Sequence, residues 1–414
     1  MQADVVIVGS GPAGIAAACA AAEGGANVLV LDDNPAPGGQ IWRRAHDAEA
    51  QRWIARLRAS GAQLRNGTRI LGPVNARTLL ADNDSGPLFI TWRNLVLCTG
   101  ARELLLPFPG WTLPGVTGAG GLQALVQGGL PIDGRRVVVA GSGPLLLAVA
   151  AHLREHGARI EAIAEQARPF HLARFAARLP FGKLLQGWRL SSQLRDVPML
   201  TEAWPIEAEG DSRLHSVRLR TRSGTRRFEC DYLACGFGLV PNIELPLLFG
   251  CNLNGGFVTV DSLQQTSVPD ILCAGEPTGV GGLERSLIEG EIAGHVAAGA
   301  PARAKALSAQ RERLHRFSAR LANAFELREE LRQMCQLDTI VCRCEDVAWE
   351  RISAYSDWRS AKLHTRCGMG ACQGRVCGAA VRFLTGRSSH DRARPPLFPA
   401  SMATLAAEKE PDHG

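Results

Sequence analysis

Five cysteines lie close together near the end of the chain, whereas the other seven are scattered singly. The five comprise a Cys-x-Cys pair, Cys342 and Cys344, a Cys-x4-Cys pair after 27 intervening residues, Cys372 and Cys377, and Cys367. Four thiolates in two close pairs suit a tetrahedral zinc ion or an iron-sulfur cluster. Cysteines of structural zinc sites are usually about two to four residues apart, and small and cationic residues surround these pairs, so the pattern favours an iron-sulfur cluster.

A second chemical pattern stands at the start of the chain, where an apolar run, DVVIV, meets a glycine-rich turn and an alanine-rich stretch. The turn is Gly9, Ser10, Gly11, Pro12, Ala13 and Gly14. In a dinucleotide-binding fold the first glycine permits the tight turn, the second admits a pyrophosphate and the third lets the helix pack on the strand. Asp32 follows the next strand, NVLVL, where a carboxylate can accept both hydroxyls of an adenosine ribose. The alternative is a packing helix after a chance glycine turn.

The residues after Asp32 favour FAD over NAD, because a glycine pair there could let the backbone approach the rest of a longer dinucleotide. Two distant segments agree: one short strand ends in a small-residue turn, and another ends in a Gly-acidic step before a glycine-rich turn and a helix. The expected FAD-binding residues in these three segments are Gly38, Gly39, Gln40, Thr99, Gly100, Ala101, Gly275 and Glu276.

These pieces resemble the flavoproteins with two dinucleotide-binding domains, the glutathione and thioredoxin reductase-like superfamily. The resemblance implies that the Gly-acidic step hydrogen-bonds the ribityl chain of FAD. It therefore assigns that role to Glu276, at a position where most relatives carry the shorter Asp.

The strand, glycine turn and helix order recurs from residue 135, with Gly141 and Gly143 in the turn. Leu146 occupies the third glycine position, and Ala164 occupies the acidic position, with Glu165 one step late. No arginine that would recognise a 2'-phosphate stands beside the end of the second strand. The sequence therefore predicts a structural domain, and NADH binding is the less favoured alternative.

Reductases of this superfamily often carry a redox-active cysteine pair beside the flavin. Cys230 and Cys235 have a suitable Cys-x4-Cys spacing, but their segment is typical of a strand, where cysteines are usually small buried hydrophobes. We therefore expect no redox disulfide there.

Composition limits the classes of protein that fit. The 414 residues are 46% hydrophobic and 21% charged, enough apolar material for two or three cores. A net charge of +6 without a dominant run of like charge does not favour nucleic acid as a partner. No stretch of eighteen apolar residues and no signal-peptide pattern is present, so we expect a cytoplasmic protein, at most peripherally bound at the inner face of a membrane.

The motifs together predict an α/β fold of two interleaved Rossmann-like dinucleotide-binding domains, with a small C-terminal α-helical iron-sulfur domain. The expected segments are residues 1–130 and 240–300 for the FAD domain, 131–239 for the degenerate NAD-like domain, 301–336 for a helical connector, 337–392 for the cluster domain and 393–414 for a tail. A stripe of apolar residues on the connector and a basic insert at 168–204 could be docking surfaces, but ordinary packing is favoured for both.

The segment TIVCRCEDV, with RCGMGACQGRVCG, is similar to the [2Fe-2S] domain of bacterioferritin-associated ferredoxin. This resemblance implies four cysteine ligands, which carry over to Cys342, Cys344, Cys372 and Cys377. The second pair is spaced Cys-x4-Cys where the small ferredoxin has Cys-x2-Cys, so the choice between Cys372 and Cys367 stays open.

The order of motifs along nearly the whole chain resembles the FAD-containing alpha subunit of the family of opine oxidases, D-hydroxyproline and proline dehydrogenases, and hydrogen cyanide synthase. The resemblance implies a multisubunit amine or amino-acid dehydrogenase. In it, a D-amino-acid-oxidase-like FAD subunit carries the substrate site, and this chain passes electrons on through FAD and a [2Fe-2S] cluster. A small ferredoxin-like [2Fe-2S] subunit commonly joins such complexes.

No residues of this chain are expected to act as a catalytic acid, base or nucleophile, since no Ser-His-Asp, Cys-His or paired-carboxylate pattern stands out. Two other functions remain as alternatives. One is a self-sufficient NADH:acceptor reductase, and the other is a non-catalytic scaffold with structural FAD and cluster.

Overall fold

The computed structural model describes residues 1–42, 47–387 and 393–407. These residues form two compact units. The first unit contains residues 1–102, 241–319 and 393–407, and the second contains 103–240 and 320–387. Residues 388–392 and 408–414, at the ends of the predicted cluster domain and tail, lie outside the described residues.

Helices and strands follow one another along the chain, with long runs of consecutive strands between the helices. Up to residue 103 they are β1 (Gln2–Val8), α1 (Pro12–Glu23), β2 (Val28–Leu31), α2 (Ala48–Ala59), β3 (Gln63–Arg65), β4 (Arg69–Asn75), β5 (Thr78–Asn83), β6 (Gly86–Leu97) and β7 (Ala101–Glu103). They continue with β8 (Val116–Gly118), α3 (Ala119–Gln127), β9 (Arg136–Gly141), α4 (Leu145–Glu155), β10 (Arg159–Glu165), α5 (Pro169–Ala176), α6 (Phe181–Gln193), β11 (Met199–Thr201), β12 (Trp204–Glu209), β13 (Ser216–Thr221), β14 (Gly224–Glu229), β15 (Tyr232–Gly236) and β16 (Leu239–Pro241).

The remaining elements are α7 (Glu244–Leu248), β17 (Leu253–Asn254), β18 (Phe257–Val258), β19 (Ile271–Cys273), a 3-10 turn (Glu276–Thr278), α8 (Gly282–Ala297), α9 (Pro301–Ala306), α10 (Ser308–Ala324), a 3-10 turn (Glu329–Gln333), β20 (Ile340–Cys342), β21 (Val347–Ala348), α11 (Trp349–Ser353), α12 (Trp358–Thr365), α13 (Cys377–Thr385) and α14 (Met402–Ala407).

The first unit is built on a sheet in which β3, β2, β1, β6 and β19 run parallel. The apolar runs of β1 and β2 are buried on both faces, as expected for a parallel sheet covered by helices. The first half of β6 instead pairs antiparallel with β5, which pairs with β4. The carboxyl ends of the parallel strands β1, β2 and β6 meet at one edge, where the glycine turn lies.

Helices α1 and α8 pack against each other through small residues. A Cβ atom on Gly290 would lie 2.1 Å from the carbonyl oxygen of Ala13, and one on Gly294 would lie 2.2 Å from that of Ala17. The alanine-rich sequence of α1 and the Gly-x3-Gly spacing of α8 therefore allow a backbone approach that larger side chains would prevent. This packing fixes the segment before α8 beside the start of α1.

The second unit contains a parallel sheet in the order β11, β10, β9, β15, β8 and an antiparallel sheet of β12, β13 and β14. Residues 103–130 belong to this unit because β8 pairs with β15, although the sequence placed them with the FAD segment. The predicted α/β class with two Rossmann-like folds is confirmed.

The last described part of the second unit is a short hairpin of β20 and β21 followed by helices α11, α12 and α13. Its own core contains Val341, Val347, Ile352 and Trp358. Leu331, just before it, is buried in a core shared with strands of the second unit. The apolar connector positions are therefore packed here, as favoured from the sequence.

The described part of the tail packs on the first unit. Leu397 is buried in the first unit, and its N-H donates to the carbonyl oxygen of Leu71 at 2.7 Å. Two apolar side chains of the tail thus pack on the sheet, Leu397 and Phe398. Across the parts of the chain that the structure describes, no helix is both long and apolar enough to span a bilayer.

Candidate FAD and iron-sulfur sites

The first glycine turn has no room for side chains at two positions. Gly9 has a φ of +101°, and a Cβ atom there would lie 2.2 Å from the carbonyl oxygen of Cys98. A Cβ atom on Gly14 would lie 1.8 Å from the carbonyl oxygen of Gly9. Strand β1, the turn and α1 are therefore held at the spacing that the sequence predicted. Pro12 and Ala13 open α1 directly after its N-cap residue, Gly11.

Gly11 itself is the open position of the turn, as expected if a pyrophosphate approaches its backbone. The nearest atom to a Cβ there would be the Cα of Gly39, at 3.8 Å. Gly39 has a φ of +59°, and the N-H of its neighbour Gly38 donates to the carbonyl oxygen of Ser10 at 2.8 Å. The predicted glycine pair thus lies against the turn, while Gln40 is exposed beside it.

Asp32 lies directly beside the turn. One of its oxygens accepts hydrogen bonds from the N-H and the hydroxyl of Ser10, at 2.5 and 2.7 Å, and the other accepts from the N-H of Asn34 at 2.8 Å. The side chain is buried in the described chain, at the end of β2. A buried carboxylate in this place can accept the hydroxyls of a ribose that enters beside Gly11.

The turn after β6 is held by a residue that sequence reasoning missed. Asn242 Nδ2 donates to the carbonyl oxygen of Thr99 at 2.8 Å, and the Thr99 hydroxyl donates to the carbonyl oxygen of Asn242 at 2.6 Å. The N-H of Asn242 also donates to the carbonyl oxygen of Gly100, which has a φ of +67°. Ala101 begins β7 directly afterwards. The motif VPN, in which Asn242 stands, was the available signal.

The Gly275 to Glu276 step lies at the start of α1, since a Cβ atom on Gly275 would be 2.9 Å from the Cβ of Ala13. One Glu276 oxygen accepts the N-H of Gly282 at 3.1 Å, while the other is buried and has no hydrogen-bond partner. Burial raises the pKa of Glu276, opposed by nearby backbone N-H groups. An orphaned buried acceptor beside this turn fits a hydroxyl-rich ligand such as the ribityl chain of FAD.

A second residue that the sequence did not reveal, Glu289, is fully buried under this step. It accepts hydrogen bonds from the N-H of Gly275 at 2.9 Å and the hydroxyl of Thr278 at 2.7 Å. Its other oxygen lies 2.7 Å from Arg285 Nε and 2.7 Å from His315 Nε2. Burial alone would raise the pKa of Glu289, but His315 and Arg285 hold it below its ordinary value.

We expect the Glu289→Ala variant to lose about 3 to 5 kcal/mol of stability, because it leaves the buried Arg285 without its counter-charge. Thermal unfolding and the flavin content of the purified protein would measure this. The matched control is Glu284→Ala, which removes an exposed carboxylate from the same helix. Equal unfolding temperatures for the two variants would contradict a supporting role for Glu289.

The second glycine turn departs from the sequence-based count in one respect. An irregularity in β10 between Ile160 and Ala162 shifts its register, so that Glu165 stands opposite Gly141. In the first unit, Leu31 stands opposite Val8, so Asp32 is next to Gly9 in the same way. The sequence count put Ala164 at the position that corresponds to Asp32, and this placement was wrong. Glu165 occupies that position in the structure, because the strand contains one extra residue.

Glu165 is nevertheless committed to its own turn. It accepts the N-H of Gly143 at 2.7 Å and the N-H of Ala167 at 2.8 Å. In the first turn the corresponding N-H, that of Gly11, is not used by Asp32. The Glu165 carboxyl group therefore occupies the N-H that a pyrophosphate would have to use. Leu146, in the third glycine position, is buried in the core of the unit.

The chain itself covers this second turn. The Ser142 hydroxyl donates to the carbonyl oxygen of Phe325 at 2.9 Å, and Gln166 Nε2 donates to that of Glu326 at 3.1 Å. Gln166 also accepts the N-H of Arg328 at 3.2 Å. Residues 325–328 of the connector therefore hydrogen-bond the side chains of Ser142 and Gln166, which lie beside the place where a nucleotide would bind.

Burial raises the pKa of Glu165 to about 7, so the folded chain holds this proton more tightly than the unfolded chain between about pH 4.5 and 7. The free energy of unfolding should therefore fall as the pH rises through this window, by about 3 kcal/mol for this group. The Glu165→Gln variant should lack this component, and Glu155→Gln, at an exposed position, should keep it. Denaturant unfolding at several pH values would show it, and identical pH profiles for all three proteins would contradict it.

Cys230 and Cys235 are separate free thiols, both buried. Burial raises the pKa of Cys230 to about 12 and also raises that of Cys235. A thiolate is the reactive form, so neither residue is suited to disulfide exchange. Burial therefore favours a structural role for both cysteines.

The late cysteines converge at one place in the second unit. The sulfur atoms of Cys342, Cys367 and Cys377 all lie within 4.8 Å of one another, and all three residues are buried. The thiols of Cys377 and Cys344 both lower the pKa of Cys372, so these side chains lie near one another. The structure thus groups the predicted ligands Cys342 and Cys377 with Cys367, while Cys344 and Cys372 lie outside this tight group.

The backbone around these sulfurs leaves little room for larger residues. A Cβ atom on Gly370 would lie 2.4 Å from the Cβ of Cys344, and Gly368, with a φ of +77°, donates its N-H to Cys342 Sγ at 3.5 Å. The thiol of Cys377 lowers the pKa of Cys372 to about 4 by hydrogen bonding. A metal ion or cluster that binds such thiols replaces their protons. Closely spaced sulfurs with a backbone N-H donor beside them suit a group of this kind.

The burial of the sulfurs separates them into an inner and an outer set. Cys342 and Cys377 are buried, Cys344 is exposed and Cys372 is intermediate. A [2Fe-2S] cluster is held by two pairs of cysteine thiolates. Four thiolates that extend from the interior to the surface fit this arrangement. The nearby Arg343 guanidinium lies over the ring of Trp111, whose Nε1 donates to the carbonyl oxygen of Ile340 at 2.6 Å. This contact anchors the Cys-x-Cys strand in the second unit.

Comparison with known proteins then places the chain. The model of the pyridine nucleotide-disulphide oxidoreductase family matches residues 3–306. The chain belongs to this family. Like its relatives that are named as oxidases and dehydrogenases, this family member is an FAD-dependent oxidoreductase.

Similar proteins cover the chain from end to end. An opine oxidase subunit of Rhizobium meliloti is 32% identical over 99% of both chains. The hydrogen cyanide synthase subunit HcnB of Pseudomonas aeruginosa is 32% identical over 97% of both. Both names describe subunits of larger enzymes.

Solved structures share the fold. L-proline dehydrogenase from P. horikoshii matches 98% of this chain and 79% of its own with a TM-score of 0.70 at 19% identity. Thioredoxin reductase of T. acidophilum matches 72% of this family member and 98% of its own chain, with a TM-score of 0.56 at 21% identity. The second protein therefore matches only part of the present chain.

Proposed function

We propose that this chain is the electron-transfer component of a multisubunit amine or amino-acid dehydrogenase. It would hold FAD in the first unit and a [2Fe-2S] cluster at Cys342, Cys344, Cys372 and Cys377. Electrons would come from a partner subunit that oxidises the substrate and would leave to an acceptor. The observation that carries the proposal is the convergence of the late cysteine sulfurs in a chain of a flavoprotein family.

The first unit supplies what FAD needs from a protein. The open Gly11 and the helix N-terminus can receive the pyrophosphate, Asp32 can bind the adenosine ribose, and Glu276 has an acceptor without a partner. FAD supplies two-electron chemistry when bound, and a [2Fe-2S] cluster supplies one-electron transfer. The part of this chain's own residues is to bind and orient both groups and to exclude water from them.

A separate partner for substrate oxidation agrees with the similarity to proteins that are named as subunits of larger enzymes. The similarity to the opine oxidase relative supports an opine or a related secondary amine as the substrate of the complex. The partner is proposed to be a D-amino-acid-oxidase-like FAD subunit, together with a small ferredoxin-like [2Fe-2S] subunit.

NADH is a less suitable electron donor. Glu165 occupies the N-H of Gly143, and the connector occupies Ser142 and Gln166. A dinucleotide in the second unit would have to displace a carboxylate and part of the chain. These contacts support a structural role for the second Rossmann-like fold.

Anaerobic stopped-flow mixing of the purified complex with an opine tests the proposal. The flavin band should bleach and the cluster signal should appear within the time of one turnover. A cluster that stays oxidised during turnover would remove it from the electron path. Rapid bleaching of the isolated chain by NADH alone would favour the NADH reductase instead.

A further inference from the structure

A basic helical insert in the second unit carries apolar residues that the described part of the chain leaves exposed. It consists of α5 and α6 with their flanking residues, from Arg168 to Arg195. The sequence favoured ordinary packing for this segment. In the structure, however, no residue of either helix is buried.

Helix α6 has two apolar faces. Leu190 is partly buried and packs against the core of the second unit, in line with the buried Leu194 one turn later. The opposite face carries Phe181, Leu184, Leu185 and Trp188, spaced i, i+3, i+4 and i+7. We call these four residues the α6 stripe.

The α6 stripe is strongly exposed. The side chains of Phe181 and Trp188 are 81% and 67% accessible, and Phe170 at the start of α5 is 69% accessible. Single exposed apolar residues are ordinary, but a contiguous helical stripe with two aromatic rings is typical of an interaction surface.

The charge of the insert indicates the kind of surface that it meets. Between residues 168 and 195 the chain has six Arg or Lys residues and no Asp or Glu: Arg168, Arg174, Arg178, Lys183, Arg189 and Arg195. Two acidic residues, Asp196 and Glu330, form ion pairs with Arg154 and Arg328, and they also feel the positive charge of the insert through Arg195 and Arg168.

We propose that the α6 stripe and its basic residues bind the surface of an anionic lipid bilayer. Helices that lie in the membrane interface combine Trp, Phe and Leu on one face with Lys and Arg around it. Anionic headgroups provide dense negative charge without requiring a matched geometry for each cation. The helix is too short and too basic to cross the bilayer, so binding is peripheral and reversible.

This inference does not depend on the proposed function, because it concerns α5 and α6 alone. The test is co-sedimentation of the purified full chain with phosphatidylcholine vesicles, with and without phosphatidylglycerol. The chain should sediment with the vesicles that contain phosphatidylglycerol, and high salt should release it. Failure to sediment with these vesicles at low salt would overturn the proposal.

The Phe181→Ser/Trp188→Ser double variant separates the stripe from the rest of the protein. We expect its vesicle partition coefficient to fall at least about tenfold, since each ring contributes transfer free energy. The matched control is Leu125→Ser, which removes an exposed leucine from another helix of the same unit and should bind like the wild type. Equal flavin content and unfolding temperature would show that each variant folds.

A protein partner is the competing occupant, and the same variants distinguish it. If the wild-type chain self-associates and the double variant is monomeric, the stripe is an interface between chains and the lipid proposal is wrong. Vesicle binding by the double variant that equals wild-type binding would overturn it as well. The Arg174→Gln/Arg189→Gln variant should lose the preference for phosphatidylglycerol.

Discussion

Replacing Cys342 by serine is expected to abolish the iron-sulfur cluster while leaving FAD in place. The wild-type chain should contain about two irons and two sulfides, whereas the variant should contain close to none, because a buried thiolate ligand is lost. Cys342 is buried, and its sulfur is within 4.8 Å of two others. Iron and sulfide analysis with paramagnetic resonance of the reduced protein would measure the effect.

Cys335→Ser is the matched control for this prediction. Cys335 lies seven positions before Cys342 but outside the group of converging sulfurs. The Cys335→Ser variant should therefore keep its full iron and sulfide content. Zinc in the wild-type chain, or an unchanged iron content in Cys342→Ser, would contradict the assignment.

The same measurement decides between Cys367 and Cys372. The resemblance to the small ferredoxin domain assigns Cys372, whose pKa the thiols of Cys377 and Cys344 both lower. Cys367 is more deeply buried and belongs to the sulfur triad. We expect Cys372→Ser to lose the cluster and Cys367→Ser to retain it, and the reverse outcome would exchange their roles.

Gly14→Ala is expected to yield protein that has lost its FAD. A methyl group at this position would lie 1.8 Å from the carbonyl oxygen of Gly9, so α1 would have to move away from the turn. Because the neighbour is backbone and not a flexible side chain, we expect the affinity for FAD to fall by about 100-fold or more. Flavin content and equilibrium titration of the apoprotein with FAD would measure this.

Gly182→Ala is the control for that change, since it adds the same methyl group in α6 where nothing lies within 4 Å. It should bind FAD like the wild type. If Gly14→Ala retains a full complement of FAD, the first turn does not hold the cofactor in the way described. If both variants lose it equally, the effect is not specific to the turn.

The positions of the first turn could be predicted because they depend on neighbours in sequence. Gly9, Gly14 and Asp32 lie in one short strand, turn, helix and strand unit, and their spacing therefore appears directly in the sequence. The same holds for the pairs that contain Cys342 and Cys377. Where residues close in sequence form a site together, their types and spacing can be recognised in the sequence.

Residues that support the site from a distance left no such trace. Asn242 is 143 positions from Thr99, and Glu289 acts on Gly275 through a hydrogen bond that depends on how α8 is placed. Glu165 was misplaced because one extra residue in β10 changes the register without changing the residue types. Such features depend on tertiary packing and strand irregularities, which a count of residues does not show.

The exposed insert shows a feature that the sequence pattern alone could not indicate. The apolar residues of α6 follow a helical period, and this pattern indicates a helix but not which of its faces the protein covers. Only the fold shows that Leu190 packs inward while Trp188 stays exposed. Periodicity alone therefore favoured ordinary packing for the entire segment.

The most direct test of the proposed electron-transfer function is an anaerobic absorption and paramagnetic-resonance spectrum of the purified chain, with flavin, iron, sulfide and zinc quantified on the same sample. We expect about one FAD, two irons and two sulfides per chain, with a paramagnetic signal that appears on reduction and disappears on reoxidation. FAD together with zinc, or with no metal at all, would contradict the electron-transfer function proposed for the late cysteines.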